Sequence, residues 1–120
     1  MPQQVVPMIH VPDVRAAMKW YASIGFRIEL YNEEDGEINW AKVTFGGEEL
    51  MFNKDGKPSD AFRREVDLYV LVDNIDETRL RLGAQADIIE DLHDTFYGMR
   101  EFIIRDLNRF WITFGQPIAT

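Results

Sequence analysis

The sequence contains no cysteine, which excludes disulfides, thiolate metal sites and thiol nucleophiles. Serine occurs only at Ser23 and Ser59, and neither sits in a Gly-x-Ser-x-Gly elbow. No glycine-rich phosphate loop or dinucleotide fingerprint is present. Basic residues are scarce: 13 Lys and Arg face 21 Asp and Glu, a formal net charge of −8. Phosphate contacts need clustered Lys and Arg, so neither a nucleic-acid nor an anionic-membrane partner is expected. No apolar run approaches the roughly 20 residues of a membrane span. Met1-Pro2-Gln3-Gln4 lacks a basic segment leading into an apolar one and does not read as a signal peptide. A cytoplasmic chain is the expectation.

What is present suits one small folded domain. The 120 residues are 46 % hydrophobic and 12 % aromatic, enough to bury a core. The chain also reads as one unit written twice. Val5 to Gly25 reads as an apolar strand, a turn and an amphipathic helix, which Asp13 can cap by accepting from first-turn amides. Val14, Ala17, Met18 and Tyr21 then fall on one helical stripe, and Gly25 can close it. The pattern recurs with a strand over 66–72, Asn74 as cap, Glu77 in a capping-box position and Gly83 as closure. This second helix is about one turn shorter.

Apolar strand-like runs follow each helix, at 26–31, 38–45 and 49–52, then at 86–90, 100–105 and 110–114. Gly46-Gly47 and residues 106–109 supply turns before the last strand of each half. Residues 54–64, with Asp55-Gly56 and Pro58, have the polar, turn-rich character of a linker. Module one spans about 1–53 and module two about 65–120. The expected class is α+β: two tandem βαβββ modules forming a curved mixed sheet with a concave cleft, helices on the outer face. Glu33–Asp35 reads as a solvated loop, and His93 as solvated in a polar loop beside Asp91 and Asp94.

With this pattern the chain resembles the vicinal oxygen chelate superfamily, which includes glyoxalase I, extradiol dioxygenases and bleomycin resistance proteins. The residues that carry the resemblance run from Val11-Pro12-Asp13-Val14 to Trp20-Tyr21 and Gly25-Phe26. In the second half they are Val72-Asp73-Asn74-Ile75-Asp76, Tyr97-Gly98-Met99-Arg100-Glu101-Phe102, and Asp106 leading to Phe114-Gly115. The resemblance covers nearly the whole chain. One departure is local: such chains usually have glycine where Arg109 stands. A positive φ there would strain Arg109 by about 1 kcal/mol or more.

Metal-dependent members of the superfamily carry four His, Glu or Gln ligands on the first and fourth strands of each half. The resemblance projects these positions onto Val6, Met51, Asp67 and Thr113. Only Asp67 is a strong ligand for a hard cation or zinc, so no metal cofactor is expected. His10 shares parity with Val6 but lies four residues further along the strand, roughly 13 Å away. It reads as a hydrogen-bonded histidine at a strand end. Adjacent carboxylates such as Glu33-Glu34 and Glu48-Glu49 point to opposite faces of a strand and cannot act as an acid/base pair.

If the ligand-equivalent positions face the cleft, parity adds Met8, His10, Glu49, Asn53, Tyr69 and Trp111 to it. Trp40, Lys42 and Thr44 join from the third strand, and Arg100 is assigned there as well. Val5, Ile9, Val11, Leu68, Val70, Val72, Ile112 and Phe114 are left for the helix-side core. Two tryptophans on a face meant only for solvent would be unusual. Such walls suit a small-molecule site, and they also suit packing at a dimer interface.

The candidate ligand residues are therefore His10, Trp40, Glu49, Met51, Asp67, Tyr69, Tyr97, Arg100, Trp111 and Thr113, with no catalytic residue among them. The resemblance implies a non-catalytic homodimer that sequesters a cationic, planar antibiotic. Trp40, Trp111, Tyr69 and Tyr97 would stack on its rings, while Asp67, Glu49 and the acidic loop attract its charge. Pro2 and Pro7 would suit an N-terminal arm that crosses to the partner. The alternatives are a glyoxalase-like metal-dependent lyase, isomerase or dioxygenase, and a module that responds to an unrelated small ligand.

Overall fold

The computed structural model describes residues 3–119, and its chain divides into two compact units, one ending at Pro58 and the next beginning at Ser59. The first unit contains β1 (Met8–His10), α1 (Val14–Ser23), β2 (Arg27–Glu34), β3 (Glu37–Phe45) and β4 (Glu48–Asn53). The second contains β5 (Leu68–Leu71), α2 (Ile75–Arg81), β6 (Asp87–Asp94), β7 (Met99–Arg105) and β8 (Trp111–Pro117). Each unit is one four-stranded mixed sheet. The strand orders are β1-β4-β3-β2 and β5-β8-β7-β6, with only the first two strands of each list parallel. The α+β class and the repeated βαβββ order read from the sequence are what the chain adopts.

Local chemistry explains α1. Asp13 is extended and its carboxylate accepts from the Ala16 N–H at 3.0 Å, satisfying an orphan donor of the first turn. Val14, Ala17, Met18 and Tyr21 are its buried stripe, as their spacing predicts. At the far end the Phe26 N–H donates to the Tyr21 carbonyl (3.0 Å) and Gly25 to Ala22 (3.2 Å), with Gly25 at φ +115°. The Tyr21 and Phe26 rings meet edge to face at 5.2 Å, so backbone closure and an apolar contact end the helix together. Tyr21 packs on Phe52 as well, at 4.9 Å, and both are essentially fully buried. That pair seats the helix on the sheet.

The second unit repeats this more sparingly. Asn74 accepts from the Glu77 N–H at 3.1 Å, but the Glu77 carboxylate pairs with Arg81, so the reciprocal half of the capping box is replaced by an i,i+4 ion pair. α2 has 7 residues against 10 in α1, the one-turn shortfall the sequence predicts. Gly83 does not close it. Leu82 leaves the helix in an extended conformation, and Gly83 lies one residue beyond in a turn, accepting from the Ala86 N–H. The core is carried instead by Phe102 and Phe114, stacked at 5.0 Å and fully buried, with Ile104 and Ile112. Each such side chain contributes about 1.5–3 kcal/mol by leaving water.

Several strand readings need correction. β1 and β5 are shorter than the apolar runs that contain them, and Val5, assigned to the core, precedes β1 and is 92 % exposed. Glu33 and Glu34 are not loop residues; they extend β2 to a two-residue turn in which Asp35 and Gly36 both take positive φ. His93 lies within β6, opposite Glu101, with its ring Nδ1 2.9 Å from the Asp91 carbonyl oxygen. The arm expected at Pro2 lies outside the described residues. Gly46-Gly47 is the hairpin turn the sequence predicts, at φ +58° and +88°.

Arg109 does hold a positive φ, +74°. Asp106 makes the turn worth its strain: its buried carboxylate accepts from Asn108 N–H (2.7 Å) and Phe110 N–H (2.9 Å). Arg109→Gly should therefore raise stability by roughly 0.5–1 kcal/mol, since relief of side-chain strain exceeds the entropy that glycine adds to the unfolded chain. Urea unfolding of the two proteins measures it. A drop in stability would mean that the Arg109 side chain makes a compensating contact.

Candidate functional site

In each unit the helix covers one sheet face, and strand alternation decides what the other face carries. In the first unit Ala41, Val43, Leu50 and Phe52 are buried on the helix side. Their neighbours point the other way. Cross-strand register sets Met8 beside Met51, His10 and Trp40 on either side of Asn53, and Lys42 beside Met51, so the predicted residues of this half do share a face.

Its charges are already matched internally. The Lys42 ammonium lies 3.0 Å from Glu49 and 3.4 Å from Glu29. Its pKa is raised, chiefly by the hydrogen bond to Glu49, so it stays charged. Glu49 is thus held by a lysine rather than left for a ligand cation, and Glu33 is held by Arg15 at 3.0 Å. His10 Nδ1 is 2.9 Å from the Lys54 carbonyl oxygen, which can only accept, so this nitrogen carries the proton. His10 is a hydrogen-bonded histidine at a strand end.

The second unit divides into two clusters. At one end the Arg63 guanidinium lies 4.1 Å from the Trp111 ring centroid and pairs with Asp67. Phe62 meets Trp111 edge to face at 5.5 Å, and its carbonyl accepts from Trp111 Nε1–H and from Arg105, each at 3.1 Å. Asp67 and Trp111 do come together, but the cation between them is this chain's own arginine. The segment preceding β5 supplies it.

The other cluster centres on a residue that sequence reasoning missed. Glu101 is 3 % exposed, and its two carboxylate oxygens accept from Tyr69 Oη–H and Tyr97 Oη–H, both at 2.7 Å. Tyr69 reaches it across Gly115, where a Cβ would overlap the tyrosine hydroxyl. Register places Tyr69 beside Thr113, and Glu101 beside Gly115. Arg100 is corrected: it shares parity with Phe102 and Ile104 and faces the helix side, with Asp76 at 3.4 Å and Asp94 at 3.5 Å. The alternation that puts Phe102 and Ile104 inside requires Glu101 outside. Ile103 masks that signal by making residues 102–104 an unbroken apolar run.

Burial of its hydroxyl, then the hydrogen bond to Glu101, push the Tyr69 pKa well above the usual tyrosine value; for Tyr97 the bond to Glu101 leads. Both remain neutral at physiological pH. Because the folded pKa is raised, the stabilisation is present in full below about pH 10 and is lost as pH climbs from there toward the folded values. Urea midpoints should fall between pH 9 and 11, and Tyr69→Phe should flatten that slope. A slope unchanged in the variant would remove Tyr69 as its source.

The four positions onto which the resemblance projects a divalent-ion site do not fit one. Val6 has no donor, Met51 offers a soft thioether, Thr113 a neutral hydroxyl, and Asp67 is engaged by Arg63. Among the described residues no group of three or more His, Asp and Glu side chains could hold a metal ion. Nor is any helix among them long and apolar enough to cross a membrane.

Comparison with known proteins agrees with this architecture. No curated protein matches the chain at a significant level. Among solved structures, TioX from Micromonospora sp. ML1 is 27 % identical, with a TM-score of 0.78 over 98 % of this chain and 100 % of its own. A glyoxalase/bleomycin resistance protein/dioxygenase family enzyme from Burkholderia phytofirmans PsJN has a TM-score of 0.71 at 16 % identity, covering 94 % of this chain and 97 % of its own. A bleomycin-binding protein solved with bleomycin has a TM-score of 0.72 at 13 % identity, over 96 % and 98 %. The last two likenesses concern the fold. The Glyoxalase/Bleomycin resistance protein/Dioxygenase superfamily profile matches residues 3–114, and with the repeated βαβββ order it shows that the chain belongs to that superfamily.

Proposed function

We propose that this protein binds a planar, positively charged small molecule and acts by sequestering it, without chemistry. The observation that carries the reading is the Tyr69–Glu101–Tyr97 cluster: two half-exposed aromatic rings held around a buried carboxylate. Rings attract planar cations through stacking and cation–π contact, on the order of 0.5–2 kcal/mol each. The other supports are the mismatch of the metal positions, the missing nucleophile, and a fold shared with a protein that binds bleomycin. The first unit, taken by itself, offers Trp40 and Met51 as aromatic and polarisable side chains. A symmetric dimer is part of the proposal, since a symmetric pair is the commonest oligomer and two facing sheets would enclose a ligand between them.

Titration with bleomycin and with 9-aminoacridinium, followed by tryptophan fluorescence, tests the reading. Saturation with a Kd of about 10 μM or tighter is expected, equivalent to roughly −7 kcal/mol. No response up to about 1 mM, a range in which even contacts worth only −4 kcal/mol would show, would sink it. Light scattering should give a particle of twice the 14.0 kDa chain mass. A divalent ion stoichiometric with the purified protein, and an activity abolished by chelator, would replace sequestration with metal-dependent lyase, isomerase or dioxygenase chemistry.

A further inference from the structure

We infer that Tyr69 and Tyr97 form an acceptor-only subsite, specific for a cation that carries N–H donors, such as a protonated arylamine or an amidine. The inference deepens the binding reading above and rests on it. A phenol has one proton and two lone pairs. Both protons here are committed to Glu101, at 2.7 Å on each carboxylate oxygen. The Thr95 side chain also hydrogen-bonds the Tyr97 oxygen, so Tyr97 has one lone pair left to offer and Tyr69 two, each polarised by the carboxylate behind it. The raised tyrosine pKa values keep those protons in place.

Charge on the remainder of the molecule singles out this cluster. Asp67, Glu49 and Glu33 are each occupied by a cation of the chain itself, Arg63, Lys42 and Arg15. Among the described residues Glu101 has no cationic partner, although it is 3 % exposed. A buried carboxylate without a counter-ion favours any positive charge that can approach it. Tyr69 and Tyr97, 50 % and 55 % exposed as residues, are where a ligand can approach. An N–H-bearing cation satisfies all three features: π faces, remaining phenol lone pairs and the charge beneath. A cation without N–H donors satisfies only the first and last. Tyr69 and Tyr97 are then the contacting residues, and Glu101 a positioning residue that acts through them.

The test compares 9-aminoacridinium, which has N–H donors, with 10-methylacridinium, a cation of the same plane that has none. Wild type should bind the first about tenfold more tightly, the worth of a charge-assisted hydrogen bond. Tyr97→Phe and Tyr69→Phe should each erase most of that preference while leaving 10-methylacridinium affinity within about twofold, because the rings remain. Glu101→Gln should weaken both cations. Near-UV circular dichroism checks folding, and if Tyr69→Phe fails it, Tyr97→Phe on the hairpin gives the same readout. Equal affinity of the two cations for wild type, or a preference that survives Tyr97→Phe, overturns the subsite and leaves the binding reading standing. Failure of both cations to bind overturns the binding reading and the subsite with it.

Discussion

Gly56→Ala should cost about 3 kcal/mol of stability, although the residue lies in a polar connecting segment. The added Cβ would overlap the His10 carbonyl and the Val11 nitrogen, which are backbone atoms and cannot swing aside. Gly56 N–H also donates to the Val11 carbonyl at 3.1 Å, and His10 is bonded to the Lys54 carbonyl, so the segment is stitched to the end of β1. Moving it away breaks those bonds together. Thermal unfolding should show a midpoint lowered by roughly 10 °C. A midpoint unchanged within error would show that the segment can shift without loss, and that His10 is not anchored by it.

The double variant Tyr69→Phe/Tyr97→Phe should lose about 3–5 kcal/mol, more than two exposed hydroxyls could account for. Each deletion strips a donor from a carboxylate that is almost wholly out of water. With both gone the charge has no compensating hydrogen bond from either tyrosine. Repeating the pair of substitutions in a Glu101→Leu background isolates the cause, because the penalty should then nearly vanish. A full loss that persists without the carboxylate would assign it to ring packing instead. Gly115→Ala should imitate Tyr69→Phe, since the new methyl group displaces the Tyr69 hydroxyl from Glu101.

These effects also mark how far the sequence could be read. The α1 stripe, the Asp13 and Asn74 caps and the Gly46-Gly47 turn were legible because each depends on residues within one or two turns of chain. The repeat was legible for the same reason, each half restating the local pattern. Face assignments were legible along β3, where buried Ala41 and Val43 alternate with Trp40, Lys42 and Thr44. They failed at Arg100, where Phe102-Ile103-Ile104 runs apolar without a break and gives no parity.

The chain's order of residues thus determined the order of elements, the α1 stripe, the two N-caps and the family, since backbone propensity and periodic burial act over short separations, while strand ends and the closure of α2 did not follow from it. It could not determine which charges would be spent inside the molecule. Lys42 on Glu49 and Tyr69 on Glu101 are decided by register between strands and by the absent side chain at Gly115, and Arg63 on Trp111 and Tyr97 on Glu101 by where the segment before β5 and the β6–β7 turn lie. Long-range pairing costs entropy that only the assembled sheet repays. That is why the aromatic residues were visible from the start, and the carboxylate they surround became visible only in the fold.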